Sequence, residues 1–342
     1  MDKLLTIVIP SYNVETTLRQ TVESMLVPDM KLRNLLDILI VNDGSKDGTL
    51  ALARQFEAEN PGIVRVWDKE NGGHGSTINV GIDHGYGKYM KVVDGDDWLE
   101  TDALEKYLRE LEKTDADMVA TDYYHYYMNT GKKEPVLSSC LPYGKVLEFQ
   151  NIYNDYTFFM LSLAVKTELL RNQKHRIDEH CYYVDVEFDT LVAMLIDTVQ
   201  YLDMKLYVYR LQNDGQSVSV QGWIKHYPEH ERVVLTLAKW YNELIENYPE
   251  RADKIAYAEK RIIRSAGGHY KIGLDFPREE MKDFVNHLKE YNVKLKLSGM
   301  RIYNLAGKNI AARWCRLTGF SLSAYSFLGK VKRIKSRRVS NQ

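Results

Sequence analysis

Apolar and polar positions come in blocks along the first hundred residues, and the blocks set the expected elements. Leu4 to Ile9 is a short apolar run rich in β-branched residues and closed by Pro10, the pattern of a buried strand. Leu35 to Val41, Ile63 to Trp67 and Tyr89 to Val93 repeat that pattern. Between them Leu18, Val22 and Met25-Leu26 recur at helical spacing, a second helix is expected through Leu52 and Phe56, and a third from Ser76 to His84. Strands alternating with helices across short loops predict an α/β fold with a mostly parallel sheet flanked by helices. In such sheets ligands bind beyond the carboxyl ends of the strands. Polar loops at Tyr12, Asp43, Asn71 and Asp94 each follow a strand end, so all four are expected at one edge.

The fourth loop carries the densest chemistry. Asp94-Gly95-Asp96-Asp97 places three carboxylates within four positions directly after an apolar strand. Packing alone would not select this, because clustered carboxylates repel one another and favour water or a cation. Crowded oxygen ligands suit a hard divalent ion, Mg²⁺ or Mn²⁺, which can also hold a diphosphate. In isolation a cluster of this kind is more readily a solvated acidic turn, so its meaning depends on the other loops. Asp43 can accept from a base imide or a ribose hydroxyl, or close a turn. Tyr12 can stack on a base or pack over the sheet. Asn71-Gly72-Gly73-His74-Gly75 permits close backbone approach to a ligand, or is a plain turn. That loop lacks the lysine of a P-loop and the dinucleotide fingerprint.

Taken together, Ile7-Val8-Ile9-Pro10-Ser11-Tyr12-Asn13, Ile40-Val41-Asn42-Asp43-Gly44-Ser45 with Asp47-Gly48-Thr49, Asn71-Gly72-Gly73 with Asn79-Val80-Gly81, and Val93-Asp94-Gly95-Asp96-Asp97 resemble glycosyltransferase family 2. The resemblance covers roughly residues 4–220, and four motifs in this order are specific jointly though weak singly. It implies the A-type, Rossmann-like nucleotide-diphospho-sugar fold and an inverting, metal-dependent transfer, with UDP the expected nucleotide. It also implies roles. Pro10 and Tyr12 line the nucleoside pocket, Asp43 contacts the base, and Asn71 and Gly72 join the donor-binding set. Asp94 and Asp96 form the D-x-D element at ribose, metal and diphosphate, with Asp96 the favoured ligand and Asp97 assisting.

Further along, Leu99 to Leu111 reads as a helix, Asp117 to Thr121 as a strand, and Tyr123-Tyr124-His125-Tyr126-Tyr127 as an aromatic strand suited to an acceptor sugar or to simple edge packing. Tyr182-Tyr183-Val184-Asp185-Val186-Glu187-Phe188 sets carboxylates among apolar residues, which predicts a raised pKa and a general base. The family carries an E-D-x-x-F-like motif at the acceptor. Asp185 and Phe188 match it, Val184 replaces its Glu, and Asp185 rather than Glu187 is the expected base. Tyr207-Val208-Tyr209-Arg210 followed by Ser217-Val218-Ser219 resembles the family's Y-x-Y-R segment, where Arg210 would meet the diphosphate or the acidic cluster.

Helices are expected at about 229–248, 251–272, 278–291 and 302–317, so the domains are expected as 1–220, catalytic (nucleotide half 1–98, acceptor half 99–220), and 221–342, helical. Cys140, Cys181 and Cys315 are few and unpaired in spacing, which argues against a disulfide scaffold. The N-terminal run is too short for a signal peptide and no apolar run reaches a bilayer span, so a cytoplasmic location is expected. The net charge of −1 hides an asymmetry, because no acidic residue follows Glu290. Residues 320–338 interleave Lys330, Lys332, Arg333 and Lys335 with Ala324, Leu328, Val331 and Ile334, a basic amphipathic pattern suited to an anionic membrane surface or to a solvated tail. The membrane reading places the enzyme peripherally on the inner face and makes a lipid-linked acceptor an alternative to a soluble glycan. No nucleic-acid module accompanies the charge. The rivals are a sugar-phosphate nucleotidyltransferase, whose basic triphosphate loop Ser11 to Glu15 lacks, and a non-catalytic glycan- or lipid-binding module, which would not need Asp94, Asp96 and Asp185 together. The tail reading has a direct check: the full chain should co-sediment with anionic vesicles, and deletion of residues 320–342 should abolish it. Equal sedimentation of both forms would remove the membrane reading.

Overall fold

The computed structural model describes residues 3–211 and 225–273. Two compact units divide at Asn213 and Asp214. The first unit holds one ten-stranded sheet. Its elements run β1 (Lys3–Ser11), α1 (Glu15–Met25), α2 (Met30–Arg33), β2 (Leu36–Asp43), α3 (Thr49–Glu59), β3 (Val64–Lys69), α4 (His74–His84), β4 (Gly87–Val92), β5 (Trp98–Leu99), α5 (Thr101–Leu111), β6 (Met118–Tyr127), β7 (Lys132–Val136), β8 (Val146–Glu148), α6 (Phe149–Ile152), β9 (Leu163–Lys166), α7 (Thr167–Arg171), α8 (Val184–Leu195) and β10 (Thr198–Leu211). The sheet order is β3-β2-β1-β4-β9-β6-β10-β5, with β7 on β6 and β8 on β10.

The four strands expected from the N-terminal pattern are all present and mutually parallel, with β1 between β2 and β4. Their apolar runs are continuous because both faces are covered. Leu5, Ile7, Val8 and Ile9 of β1 and Ile38 and Ile40 of β2 are fully buried. The parallel character ends beyond β4. β9 lies antiparallel between β4 and β6, and β10 runs parallel to β6 but antiparallel to β5 and β8. The sheet as a whole is therefore mixed.

Two expected elements are corrected here. The helix expected from Leu99 begins only at Thr101, because Trp98 and Leu99 pair as a short strand with Val208 and Tyr207. The amide of Glu100 then donates to Leu206 O at 2.9 Å. Asp117–Thr121 and Tyr123–Tyr127 are not separate, since Met118–Tyr127 is one strand along β10. The apolar Phe158–Val165 stretch becomes a 3₁₀ turn, Met160–Ser162, and strand β9 in mid-sheet.

In the second unit the described residues form two helices, Tyr227–Asn247 and Ala252–Gly273, within two residues of the expected bounds. Among the described residues no helix is long and apolar enough to cross a membrane. The expected helices 278–291 and 302–317, the Ser217–Ser219 motif and the basic tail lie outside the described residues.

One cation is built into the core of the first unit. Lys91 on β4 is buried, and its ammonium donates to Leu161 O at 2.7 Å and lies 5.5 Å from the Tyr207 ring centre. Burial lowers its pKa to about 7, against 10.5 for a solvated lysine. Above pH 7 the folded chain gives up this proton while the unfolded chain keeps it to about pH 10.5. The unfolded state then binds more protons, so stability rises with pH across that window, with a ceiling of roughly 5 kcal/mol. Below pH 7 both states carry the charge and the burial penalty is complete. Urea unfolding between pH 7 and 10 should show a rising stability component that Lys91→Met lacks; parallel pH profiles for the two proteins would contradict it.

Candidate active site

The carboxyl ends of β1, β2, β3 and β4 deliver their loops to one edge, as the alternating pattern requires. At the centre is the turn Asp94–Asp97. Helix α1 grips it from one side: Thr17 Oγ1 donates to Gly95 O at 2.8 Å and Thr21 Oγ1 to Asp97 O at 2.6 Å. The amide of Gly95 donates to Pro10 O at 3.1 Å, which ties the turn to the end of β1. Strand β10 holds it from the other side. Tyr207 Oη donates to Asp97 Oδ2 at 2.5 Å and accepts from the Asp94 amide at 3.3 Å. The Arg210 amide donates to Asp97 Oδ1 at 2.7 Å, and its Nε to Asp96 O at 2.6 Å.

These contacts separate the three carboxylates. Asp97 is 1% exposed, and both its oxygens are engaged by β10. Burial first, then the neighbouring Asp94 and Asp96 charges, push its pKa well above the carboxylate range. Asp97, the expected assistant at a metal, has both carboxylate oxygens facing protein donors. Asp94 stays partly exposed, with its Oδ1 2.8 Å from His74 Nε2. Burial opposes a proton on His74, but Asp94 above all, with Asp185 and Asp96, raises its pKa. Asp96 makes no ion pair among the described residues. Burial and the Asp94 charge raise its pKa in turn.

Asp43 also turns inward. It is 3% exposed, and its Oδ1 accepts from Lys69 Nζ (2.9 Å) and the Gly72 amide (2.8 Å), its Oδ2 from the Gly73 amide (2.8 Å). Asn71 Nδ2 donates to Asp43 O at 2.9 Å. Asp43, the expected base contact, shapes the glycine loop through these bonds. Tyr12 is 50% exposed on the β1–α1 loop, where it remains available to a planar ligand. The same loop is laced to the β2–α3 loop: the Asn13 amide donates to Ser45 Oγ at 3.0 Å, and the Lys46 amide to Asn13 Oδ1 at 2.7 Å.

Asp185 reaches this edge through helix α4. Asn79 acts as a backbone substitute: its Nδ2 donates to Ile177 O (2.9 Å) and its Oδ1 accepts from the Ile177 amide (3.1 Å). Gly75 allows the contact, since a β-carbon there would lie 2.1 Å from Asp178 O. The His180 amide donates to Gly72 O at 2.5 Å. Gly73 has φ 82°, which suits glycine. His180 and Tyr183 are also left-handed, at φ 49° and 66°, and Tyr183 caps α8 in that conformation. Non-glycine residues in this region store strain, a common mark of functional loops. The strain turns the chain so that Asp185 stands in the first turn of α8. Asp185 is exposed, because Val184 turns into the core without covering it, so the burial expected from its apolar neighbours is absent. Glu187 is fully buried, and its Oε2 accepts from the Asp178 amide at 2.8 Å.

Arg210 is 8% exposed, its guanidinium donating to Gln20 Oε1 at 2.8 Å and lying 4.8 Å from the Trp98 ring centre. It braces the turn from beneath. Gln20, Thr17, Thr21 and Tyr207 were not singled out as site residues from sequence. Helical spacing on α1 and the Y-x-Y-R strand locate them, but nothing local marks their targets.

A sheet of this topology, with loops gathered at the ends of its parallel strands and a D-x-D turn at its centre, is the A-type glycosyltransferase fold. Residues 6–172 match the family described as Glycosyl transferase family 2. It is 27% identical over 266 residues to glycosyltransferase GlyA of Streptococcus pneumoniae, covering 75% of this chain and 35% of GlyA. It is 23% identical over 253 residues to the minor teichoic acid biosynthesis protein GgaB of Bacillus subtilis, covering 72% of this chain and 27% of GgaB. The chain thus spans about a third of the length of these relatives. Among solved structures, S. aureus TarS 1–349 in complex with UDP-GlcNAc superposes with a TM-score of 0.67 at 17% identity, over 97% of this chain and 92% of that one. The crystal structure of TarS 1–349 gives 0.66 at 16%, with the same coverage.

Asn79→Ala should cost about 2–4 kcal/mol, since it strands two buried backbone groups. Thermal unfolding would show it, and wild-type stability in the variant would mean that α4 does not hold the segment before α8.

Proposed function

We propose that the chain is an inverting, metal-dependent glycosyltransferase that moves a sugar from a nucleoside-diphosphate sugar to a hydroxyl of a glycan or lipid-linked acceptor. The observation that carries this is the convergence of Asp185, exposed on the first turn of α8, with His74, Asp94 and Asp96 at the sheet edge. A UDP-sugar is the favoured donor, supported by the likeness to TarS 1–349 in complex with UDP-GlcNAc. Cell-surface polysaccharide is the favoured product class, supported by the named role of GgaB. The catalytic domain is read as about 1–220.

The donor set fits a divalent cation of the Mg²⁺ or Mn²⁺ kind. Among the described residues no three His, Cys, Asp or Glu side chains converge as a ready cage. Mg²⁺ characteristically takes one or two carboxylates and completes its shell with phosphate oxygens and water. Asp96, with Asp94 beside it, supplies that number, while Asp97 and Asp43 are occupied by protein donors. Such an ion, when bound, neutralises charge on the diphosphate.

The chain's own residues then divide the work. Tyr12 and Pro10 offer the wall for the nucleoside. The Asp43-shaped loop brings the backbone of Asn71 and Gly72 to the donor. Asp185 accepts the proton of the acceptor hydroxyl as its oxygen bonds to the anomeric carbon from the face opposite the diphosphate. The bond from that carbon to the diphosphate oxygen breaks, and the electron pair leaves with the nucleoside diphosphate. One displacement with one base inverts the centre, so an α-linked donor yields a β-linked product. Glu187 is the weaker candidate base, being buried and tied to the Asp178 amide.

Asp185→Asn should lower transfer about 100-fold or more while UDP still binds in calorimetry with Mn²⁺. Turnover at the wild-type rate would sink the assignment. Asp96→Ala should lose UDP affinity specifically in the presence of Mn²⁺; an unchanged affinity would count against its metal role.

A further inference from the structure

Strand β10 carries two buried tyrosines that each reach a buried aspartate. Tyr201 donates to Asp122, whose other oxygen accepts from Tyr143 at 2.9 Å, far along the strand from the acidic turn. Tyr207 donates to Asp97, but its oxygen also accepts from the Asp94 amide. The second contact makes the difference. Tyr207 Oη links the backbone of the first carboxylate in the turn to the side chain of the third, and so spans the residue between them, Asp96. The Arg210 amide fixes the remaining oxygen of Asp97, and Arg210 Nε fixes the carbonyl of Asp96 itself. The Asp97 amide donates back to Asp94 O at 3.0 Å, which closes the turn.

We infer that Tyr207 is a positioning residue that sets the separation and direction of Asp94 and Asp96, and thereby the affinity of the site for a metal–nucleoside diphosphate. The inference rests on the donor-binding reading of those two carboxylates. Three acidic groups within four residues repel one another, and the turn would relax outward without a strap on its buried member. Tyr207 is 1% exposed, so it acts through Asp94 and Asp97 and not on the substrate. Partners of this indirect kind typically change metal affinity about 10- to 100-fold when removed.

The test is Tyr207→Phe, which keeps the ring and removes only the hydroxyl, with Tyr201→Phe as the control for loss of a buried tyrosine–aspartate bond in the same strand. UDP binding with Mn²⁺ is measured by calorimetry, and amide hydrogen exchange of residues 94–98 is followed without nucleotide. Tyr207→Phe should weaken UDP–Mn²⁺ binding at least tenfold and speed exchange at Asp94, while Tyr201→Phe loses stability but binds UDP–Mn²⁺ as the wild type does. Equal weakening by both variants, or unchanged binding by Tyr207→Phe when the wild type binds, overturns the role of Tyr207 alone. A wild type that binds none of UDP, GDP and dTDP with Mn²⁺ overturns the donor reading and this role with it. The exchange rates in that case report whether the strap itself holds the turn.

Discussion

Electrostatic repulsion within Asp94–Asp97 is the constraint around which the site is built. The turn follows a strand that is buried from Tyr89 to Val92, so its carboxylates cannot all escape to water. The structure resolves this by sacrificing one. Asp97 is driven inward, where Tyr207 and the Arg210 amide supply two donors to its two oxygens. With Asp97 accounted for, only two carboxylates remain at the surface of the edge, a tractable charge for one divalent ion. The inward carboxylate also accounts for β10, the last described strand of the unit in sequence, pairing with β5 directly after the turn. The Trp98–Val208 and Leu99–Tyr207 register is what brings Tyr207 and Arg210 under the aspartates.

A second constraint is the delivery of Asp185 across about ninety residues of chain. It depends on unusually close packing of α4 against the segment before α8. Asn79 reads the Ile177 peptide as a strand neighbour would, and Gly75 permits an approach that any β-carbon would block. Asn79 and Gly75 therefore fix the segment before α8. They join α4 to the segment that leads into the helix carrying Asp185. The left-handed Tyr183 makes the final turn, and its cost is carried by the eight buried residues of α8 that follow.

The parallel half of the fold was legible because its strands are apolar throughout and its helices periodic. Each loop position could then be assigned to the same edge without knowing any contact. The acceptor half was less legible for a physical reason. β9 and β10 find their partners through long-range pairing, and Leu163–Lys166 has no local pattern that distinguishes mid-sheet insertion from a loop. Trp98–Leu99 continues the helical periodicity of α5, so only pairing with β10 reveals it as a strand. The candidate site residues follow from type and order. What those could not reveal was orientation, since an inward and an outward aspartate look alike in sequence.

That distinction separates the acidic residues into two chemical kinds. Asp43, Asp97 and Glu187 are buried, and each spends carboxylate oxygens on backbone amides: Gly72 and Gly73, Arg210, and Asp178 respectively. They organise three separate pieces of backbone: the glycine loop, the acidic turn and the approach to α8. Asp94, Asp96 and Asp185 remain on the side open to ligand, and all three act on His74. Each inward carboxylate thus holds the segment that presents an outward group. Asp43 forms the loop before His74, Asp97 anchors the turn that carries Asp94 and Asp96, and Glu187 fixes the stretch leading to Asp185. The acidic motifs of this chain are paired in that sense, with one carboxylate in each region giving up its exposure so that its neighbour can be held in place.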